Sequence, residues 1–375
     1  MKILQRFGKL GGVAGLLLLA GPHNAAAGTN LLQVRDAFYS TGQTVIVYID
    51  VTNEDVFRGF QLDIKLPAGL SFDGSSCALA DRKQTHSLYC FIQPTGDWRF
   101  ISFASPNANF LGHTGAVMQM TCTATGGAGT YIISISGVSL TGTDNTHLPL
   151  TSQGGQIIVF NPANAAKARI VNRLEGWNIT GGMNNTLAMD GRLPLTSPYP
   201  QAPRTASSMP TNIADWILLE LRTSPSGAAV YRQSYLLRTD GALAELDGVT
   251  SNLTLGVPTG SYWIVLRHRN HAAVMSAAAQ SLVTTVSTFD FGSAASQYYG
   301  GGGTLSIGRY VMPAGDIDQD GHITSKDYLL WYKKKLAAPA AGYYLEDLNG
   351  DGVVTDADFT LWQTNARAGL DSRVP

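Results

Sequence analysis

The chain has 375 residues, of which 44% are hydrophobic and only 14% charged, and its formal net charge is −1. That length suits two or three domains rather than one. No basic field is present to attract nucleic acid or anionic lipid, so neither is an expected partner. The 41 glycines, with frequent Thr and Ser and Val/Ile-rich alternating runs, predict a mainly β protein of short strands and turns.

Lys2, Arg6 and Lys9 form a positive N-terminal region, residues 13–20 are the heart of a short apolar run, and Ala25-Ala26-Ala27 offers a small-residue cleavage site. This pattern predicts a signal peptide over residues 1–27 and a secreted protein, extracellular or on the cell surface. The alternative is a buried N-terminal helix. The apolar run is short for a membrane span and no second one follows, so no stable membrane anchor is expected. Export permits a disulfide. Of Cys77, Cys90 and Cys122, the first two make the better pair, closing a loop around Asp81-Arg82-Lys83-Gln84, with Cys122 a buried thiol. Three free buried thiols are equally compatible with the spacing.

Residues 28–160 read as a β-sandwich. The run 44–51 (TVIVYIDV) is strongly β-prone, and 59–66 (GFQLDIKL) alternates with period two before Pro67-Ala68-Gly69 ends it. Further strands are predicted at 98–104, 116–124, 130–136 and 155–160. The stretches GFQLDIKLPAGLSF, RFISFASPNANFLGHTGAVMQMTCTAT and GTYIISISGVSL resemble, in order, the strands of a cohesin domain, the jelly-roll receptor of dockerins. The same pattern fits carbohydrate-binding sandwiches, and no binding residue is carried over from it.

A linker is predicted at 161–167, then a second β-sandwich of unknown function over 168–312. The run 216–222 is a strand by composition, and 231–238 is expected to pair with 243–246 across Thr239-Asp240-Gly241. The entry PTGSYWIVL is similar to the end of transthyretin-like sandwiches. The whole segment resembles a recurring β module of bacterial secreted proteins to which no activity is attached. Gly300 to Gly303 reads as a turn or hinge before the last module.

Residues 313–366 contain a sharp repeat. DIDQDGHITSKD (316–327) and DLNGDGVVTDAD (347–358) carry oxygen donors at loop positions 1, 3, 5, 9 and 12: Asp316, Asp318, Asp320, Thr324 and Asp327, then Asp347, Asn349, Asp351, Thr355 and Asp358. Calcium takes six to eight oxygens, and a tightly coiled loop turns alternate side chains to one centre. Gly321 and Gly352 allow the sharp turn at position 6, and position 7 (His322, Val353) would give a backbone carbonyl. The apolar residues Ile323 and Val354 at position 8 suggest loops paired side by side. Each loop is expected to lead into a helix, 328–336 and 359–365, with Tyr328, Trp331 and Tyr332 on one face of the first and Phe359 and Trp362 on one face of the second.

An ordinary EF-hand has a helix before the loop and Glu at position 12. Here position 12 is Asp and Met312-Pro313-Ala314-Gly315 cannot extend a helix. In both respects the segment resembles a type I dockerin. The resemblance implies two calcium ions, a cohesin-type protein partner, and partner contacts from loop positions 10 and 11: Ser325 and Lys326, Asp356 and Ala357.

No G-x-S-x-G elbow, H-E-x-x-H site or P-loop occurs. His268 and His271 would point to opposite faces of a strand, which argues against joint metal binding. Asp215, Glu220, Asp240, Glu245 and Asp247 could hide a glycosidase pair, but are expected mostly at strand ends and turns, in solvent. Trp98, Trp177, Trp216, Tyr262, Trp263, Tyr298 and Tyr299 could stack on sugars, with core packing as the default. The reading is a secreted, non-catalytic adaptor or structural protein. It would bind calcium and dock to a cohesin-type domain, self-assembling with other copies of itself or serving a polysaccharide-degrading extracellular complex. The alternatives are a carbohydrate-binding protein of polysaccharide catabolism and, behind it, a glycoside hydrolase.

Overall fold

The computed structural model describes residues 30–104 and 108–375. The expected signal peptide lies outside the described residues. The protein is mainly β, with its two long helices at the C-terminal end.

The N-terminal region is a two-sheet sandwich. One sheet is built on Asn30–Val34, Val45–Thr52 and Ala116–Ala124; the other on Phe57–Lys65, Trp98–Ala104, His86–Ile92, Gly129–Gly142 and Gly155–Phe160. The period-two pattern decides which side faces in. Val45, Val47, Ile49 and Val51 from the first sheet meet Leu62, Ile64, Phe100 and Leu140 from the second, all fully buried. Each such side chain contributes roughly 1.5–3 kcal/mol on leaving water. The predicted strands at 98–104, 116–124 and 155–160 appear with those bounds, while the one at 130–136 runs further, as Gly129–Gly142 with a register shift between Ser136 and Ser139.

The middle region centres on the strand Ile213–Arg222, every residue of which is buried. It is flanked by Ala229–Arg238 and Gly260–His268. A smaller sheet joins Ala165–Val171 to Leu253–Pro258 and Ser287–Asp290. Trp177, Trp216, Tyr235 and Phe291 fill the core, so Trp177, Trp216, Tyr262 and Tyr298 are packing residues and not a sugar platform. The hairpin across Thr239-Asp240-Gly241 forms as expected, with Leu236 opposite Ala244 and Leu237 opposite Leu243.

Two expectations need correction, the linker bounds and the strand around His268. The linker is shorter than 161–167: Asn161 caps one helical turn at Pro162–Asn164, and Ala165 already pairs with Pro258. Of the turn or hinge expected at Gly300 to Gly303, the structure shows the turn. Gly300 and Gly301 take φ of 58° and 73° in a tight turn that leads directly into the hairpin Thr304–Ser306/Arg309–Val311. The segment around His268 is not one strand. It breaks at Arg269-Asn270, and His268 and His271 face each other as a register pair.

A short helix, α1 (Thr186–Met189), belongs to the middle region. In the C-terminal module, α2 (Ser325–Leu336) and α3 (Asp356–Ala368) each start one turn earlier than the aromatic spacing alone indicated. The cause is visible at their N-termini. Thr324 and Asp327, and Thr355 and Asp358, form reciprocal capping boxes, which satisfy backbone N–H groups that a helix start leaves unpaired. Trp331 is buried and packs with Tyr328, Phe359 and Trp362 over Ile317 and Leu348.

Candidate metal centre

The two acidic loops share one hydrogen-bond plan. At position 12, Asp327 Oδ1 accepts from the Ile317 and Asp318 N–H at 2.7 and 3.1 Å, and Oδ2 from Thr324 N–H at 2.8 Å. Asp358 repeats this with Leu348, Asn349 and Thr355 at 2.7, 3.3 and 2.7 Å. The His322 N–H donates to Asp320 Oδ1 at 3.0 Å, and the Val353 N–H to Asp351 Oδ1 at 2.9 Å. Gly321 and Gly352 have φ of +89° and +85°, the left-handed region that a side chain makes costly.

In the first loop, carboxylate oxygens of Asp316, Asp318 and Asp320 lie within 4.8 Å of one another. Asp316 is 2% exposed, and its Oδ1 has no hydrogen-bond partner among the described residues. A buried carboxylate oxygen without a donor is costly unless a cation faces it. Burial, followed by repulsion from Asp327, Asp318 and Asp320, pushes the Asp316 carboxyl up to about 7. Asp347 in the second loop is likewise pushed up to about 7 by burial and Asp358, against a lowering by Arg269. These acidic groups could hold a metal ion, and the donor set, all oxygen, suits a hard divalent cation.

The remaining expected residues are placed as follows. Thr324 and Thr355 act as helix caps, their Oγ1 accepting from Lys326 and Ala357 N–H at 3.3 Å. Ser325, Lys326, Asp356 and Ala357 are all exposed at the starts of α2 and α3. Lys326 is paired with Asp320 at 2.8 Å, and Asp356 with Lys335. The loops do not pair side by side. The Ile323 N–H donates instead to Asp371 Oδ1 at 3.0 Å, and His322 bridges Asp371. The C-terminal segment has taken the place expected of the second loop.

Sequence reasoning missed how closely this module is held by the middle region. Asn270 Nδ2 donates to the carbonyls of Leu345 and Asp347 at 2.8 and 2.7 Å. Asn184 Nδ2 donates to those of Asn349 and Gly350 at 3.2 and 3.0 Å. Glu175 Oε2 accepts from the Ala314 N–H at 3.0 Å and from Asn365 Nδ2. Gly350 lies so close to the Trp177 ring that a Cβ there would sit 2.6 Å from it.

Behind this contact lies a buried polar network. Asp215 accepts from His268 Nε2 at 3.0 Å, Arg269 Nε at 2.8 Å and the Tyr343 hydroxyl at 2.8 Å. His268 and His271 approach Nδ1 to Nδ1 at 2.9 Å. Burial lowers both imidazoles and keeps them neutral. Burial alone would raise Asp215, but Arg269 and His268 outweigh it and hold it below the usual carboxylate range. Glu220 is also lowered: Arg267, Arg232 and Arg222 outweigh its burial. Both carboxylates are therefore buried and ionised, not solvated as expected. A glycosidase acid needs a raised value, so neither can serve as one. The chain distance between Asp215 and His268 hid this network. The signal that could have found it is the polar cluster RHRN interrupting an apolar strand.

No family model matches the chain, and no curated protein matches it. Solved structures similar to it include a non-cellulosomal cohesin from the archaeon Archaeoglobus fulgidus, 13% identical over 36% of this chain and 92% of that one, with a TM-score of 0.31. A type I cohesin–dockerin complex from Clostridium thermocellum is 12% identical, covering 37% of this chain and 99% of that one, with a TM-score of 0.30. The sixth cohesin of scaffoldin B from Acetivibrio cellulolyticus is 11% identical over 35% and 99%, at 0.31.

Proposed function

We propose that this chain is a secreted, non-catalytic adaptor whose C-terminal module binds two calcium ions and docks, dockerin-like, onto a cohesin-type domain. The observation that carries the reading is the buried, donor-free Oδ1 of Asp316, whose carboxylate converges with those of Asp318 and Asp320, in a loop whose hydrogen bonds recur 31 residues later. Asp316, Asp318, Asp320 and Asp327 would hold one ion with the His322 carbonyl; Asp347, Asn349, Asp351 and Asp358 would hold the other with the Val353 carbonyl. Calcium supplies the positive charge that relieves these carboxylates and so stiffens the loops.

The docking half of the reading is supported by surface chemistry. Leu329, Tyr332 and Leu336 are exposed along α2, beside Ser325 and Lys326. At the other end of the chain, Tyr89 and Phe103 stack at 5.3 Å on an exposed sheet face that also carries Phe91. A second copy of this chain is thus the first partner to test, and such head-to-tail contacts that do not close give open filaments. Isothermal titration of the full chain with calcium should show two sites, reduced to one by Asp316→Asn. Light scattering should rise in calcium and fall in chelator. No heat on calcium addition would sink the metal reading; heat without assembly would sink only the choice of self as partner.

A further inference from the structure

The central strand of the middle region carries an unusual charge cluster next to the C-terminal module. Glu220 stands opposite Arg232 across one strand pair, and Arg267 stands opposite Leu218, two residues back and so on the same face. Arg222 lies two residues on. One carboxylate therefore serves three guanidiniums: Arg232 Nε at 2.8 Å, Arg267 Nε at 3.3 Å and Arg222 Nη2 at 3.5 Å. Arg222 turns its Nη1 to the Pro225 and Pro375 oxygens. Arg232 and Arg267 have no such second partner. Their Nη atoms make no hydrogen bond among the described residues, while each side chain is about a third exposed.

Those two forks line a cleft of about 720 Å³ between the middle region and the C-terminal module, walled by Pro198, Pro200 and Gln201 on one side and Gln319, Leu330 and Leu345 on the other. A cavity of that size falls inside the roughly 300–1,000 Å³ of small-ligand sites. The charges facing it are Arg232, Arg267 and Arg269 against Glu220 and Asp318. Arg269 is matched by Asp215; Glu220 and Asp318 equal the other two in number, and once a cation engages Asp318, Glu220 is left to match only one of them.

We propose that this cleft binds an oxyanion on a sugar-sized ligand, an acidic saccharide, with Arg232 and Arg267 gripping the carboxylate or sulfate. Guanidinium forks are suited to that geometry: Arg232 Nε donates to Glu220 Oε1, Arg267 Nε stands at ion-pair distance from Oε2, and the Nη edges of both are left for the ligand. The site is separate from the calcium ligands except for Asp318 at its rim. Binding is therefore measured with calcium present, where Asp318 would be engaged by the metal in the reading above.

The test is calorimetry on the full chain with galacturonate, neutral galactose and inorganic sulfate. Galacturonate should bind and galactose should not. Arg267→Lys, which keeps the charge but loses the fork, should weaken binding about tenfold. Gln201→Glu at the exposed lip should weaken it similarly without touching the buried cluster, which guards against a variant that merely misfolds. Sulfate binding as tightly as galacturonate assigns the fork to a free inorganic oxyanion. Galactose binding as tightly as galacturonate, or galacturonate binding that ignores both substitutions, overturns the proposal. Because neither substitution touches a calcium loop, failure here leaves the two-site calcium titration unchanged.

Discussion

Removing calcium should make the C-terminal module's stability depend on pH in a direction opposite to that of most carboxylate-rich proteins. In the metal-free loops the Asp316 and Asp347 carboxyls rise from their ordinary 3.8 to about 7. A raised carboxyl holds a proton in the folded state that the unfolded chain has already released. Across that window the folded form binds more protons, so stability falls as pH rises, and the whole penalty is present above about pH 7. The step from 3.8 to about 7 corresponds to about 4 kcal/mol for each residue, a large share of the stability of any small module. In the proposed reading, calcium would take the place of the proton and cancel the penalty. The assay is backbone hydrogen exchange in α2 and α3, expressed as protection factors, in calcium and in chelator from about pH 5 to about pH 8. Protection in chelator should fall toward alkaline pH while protection in calcium does not. Equal or greater protection at the alkaline end in chelator would refute the reasoning.

Three other outcomes follow from the contacts. Asn270→Ala removes both donors to the Leu345 and Asp347 carbonyls and should cost about 2 kcal/mol, read as faster proteolysis of the 337–347 segment with the N-terminal sandwich unaffected. Gly350→Ala combines a φ of +70° with a Cβ 2.6 Å from the Trp177 ring; it should cost about 1–3 kcal/mol and weaken calcium at the second loop only, measured by titration. Cys77 and Cys90 bring their sulfurs within 3.0 Å, while Cys122 is buried. Secreted protein unfolded without reductant should therefore take up one thiol label, and three labels would show the pair to be reduced.

The sandwich was legible because its strands obey period two over long runs, as in Val45, Val47, Ile49 and Val51. The loops were legible because the same residue types recur at the same spacing in both copies, and both copies adopt the same hydrogen bonds. What stayed hidden depends on distant partners. Asp215 reads as solvated because its balancing groups, His268 and Arg269, are about fifty residues away in the chain, and Glu220 because only strand pairing brings Arg232 and Arg267 beside it. The turn at Arg269-Asn270 carries no Gly or Pro and was read as continuous strand. The docked position of the C-terminal module left almost no local trace, since its key contacts are Asn and Glu side chains reaching backbone atoms of another region.

That docking breaks the symmetry of the repeat, and the two proposed calcium sites should show it. In the first loop Asp318, Gln319 and Asp320 are exposed, and four carboxylates are present. In the second, Asp347 and Gly350 are buried, Asn349 replaces one carboxylate, and Asp347 Oδ1 and Oδ2 already accept from Gly350 and Gly352 N–H at 2.8 and 2.9 Å. Asn184, Asn270 and Trp177 hold that loop in place before any metal arrives, so little ordering entropy opposes binding there. The first loop must instead draw Asp318 and Asp320 from solvent toward the buried Asp316 and Asp327, and its higher charge makes its affinity the more sensitive to salt. Terbium luminescence should therefore resolve two steps. Raising ionic strength should weaken the step lost in Asp316→Asn more than the step lost in Gly350→Ala. A single step, or equal salt dependence of both, would show that the middle region does not preform the second loop.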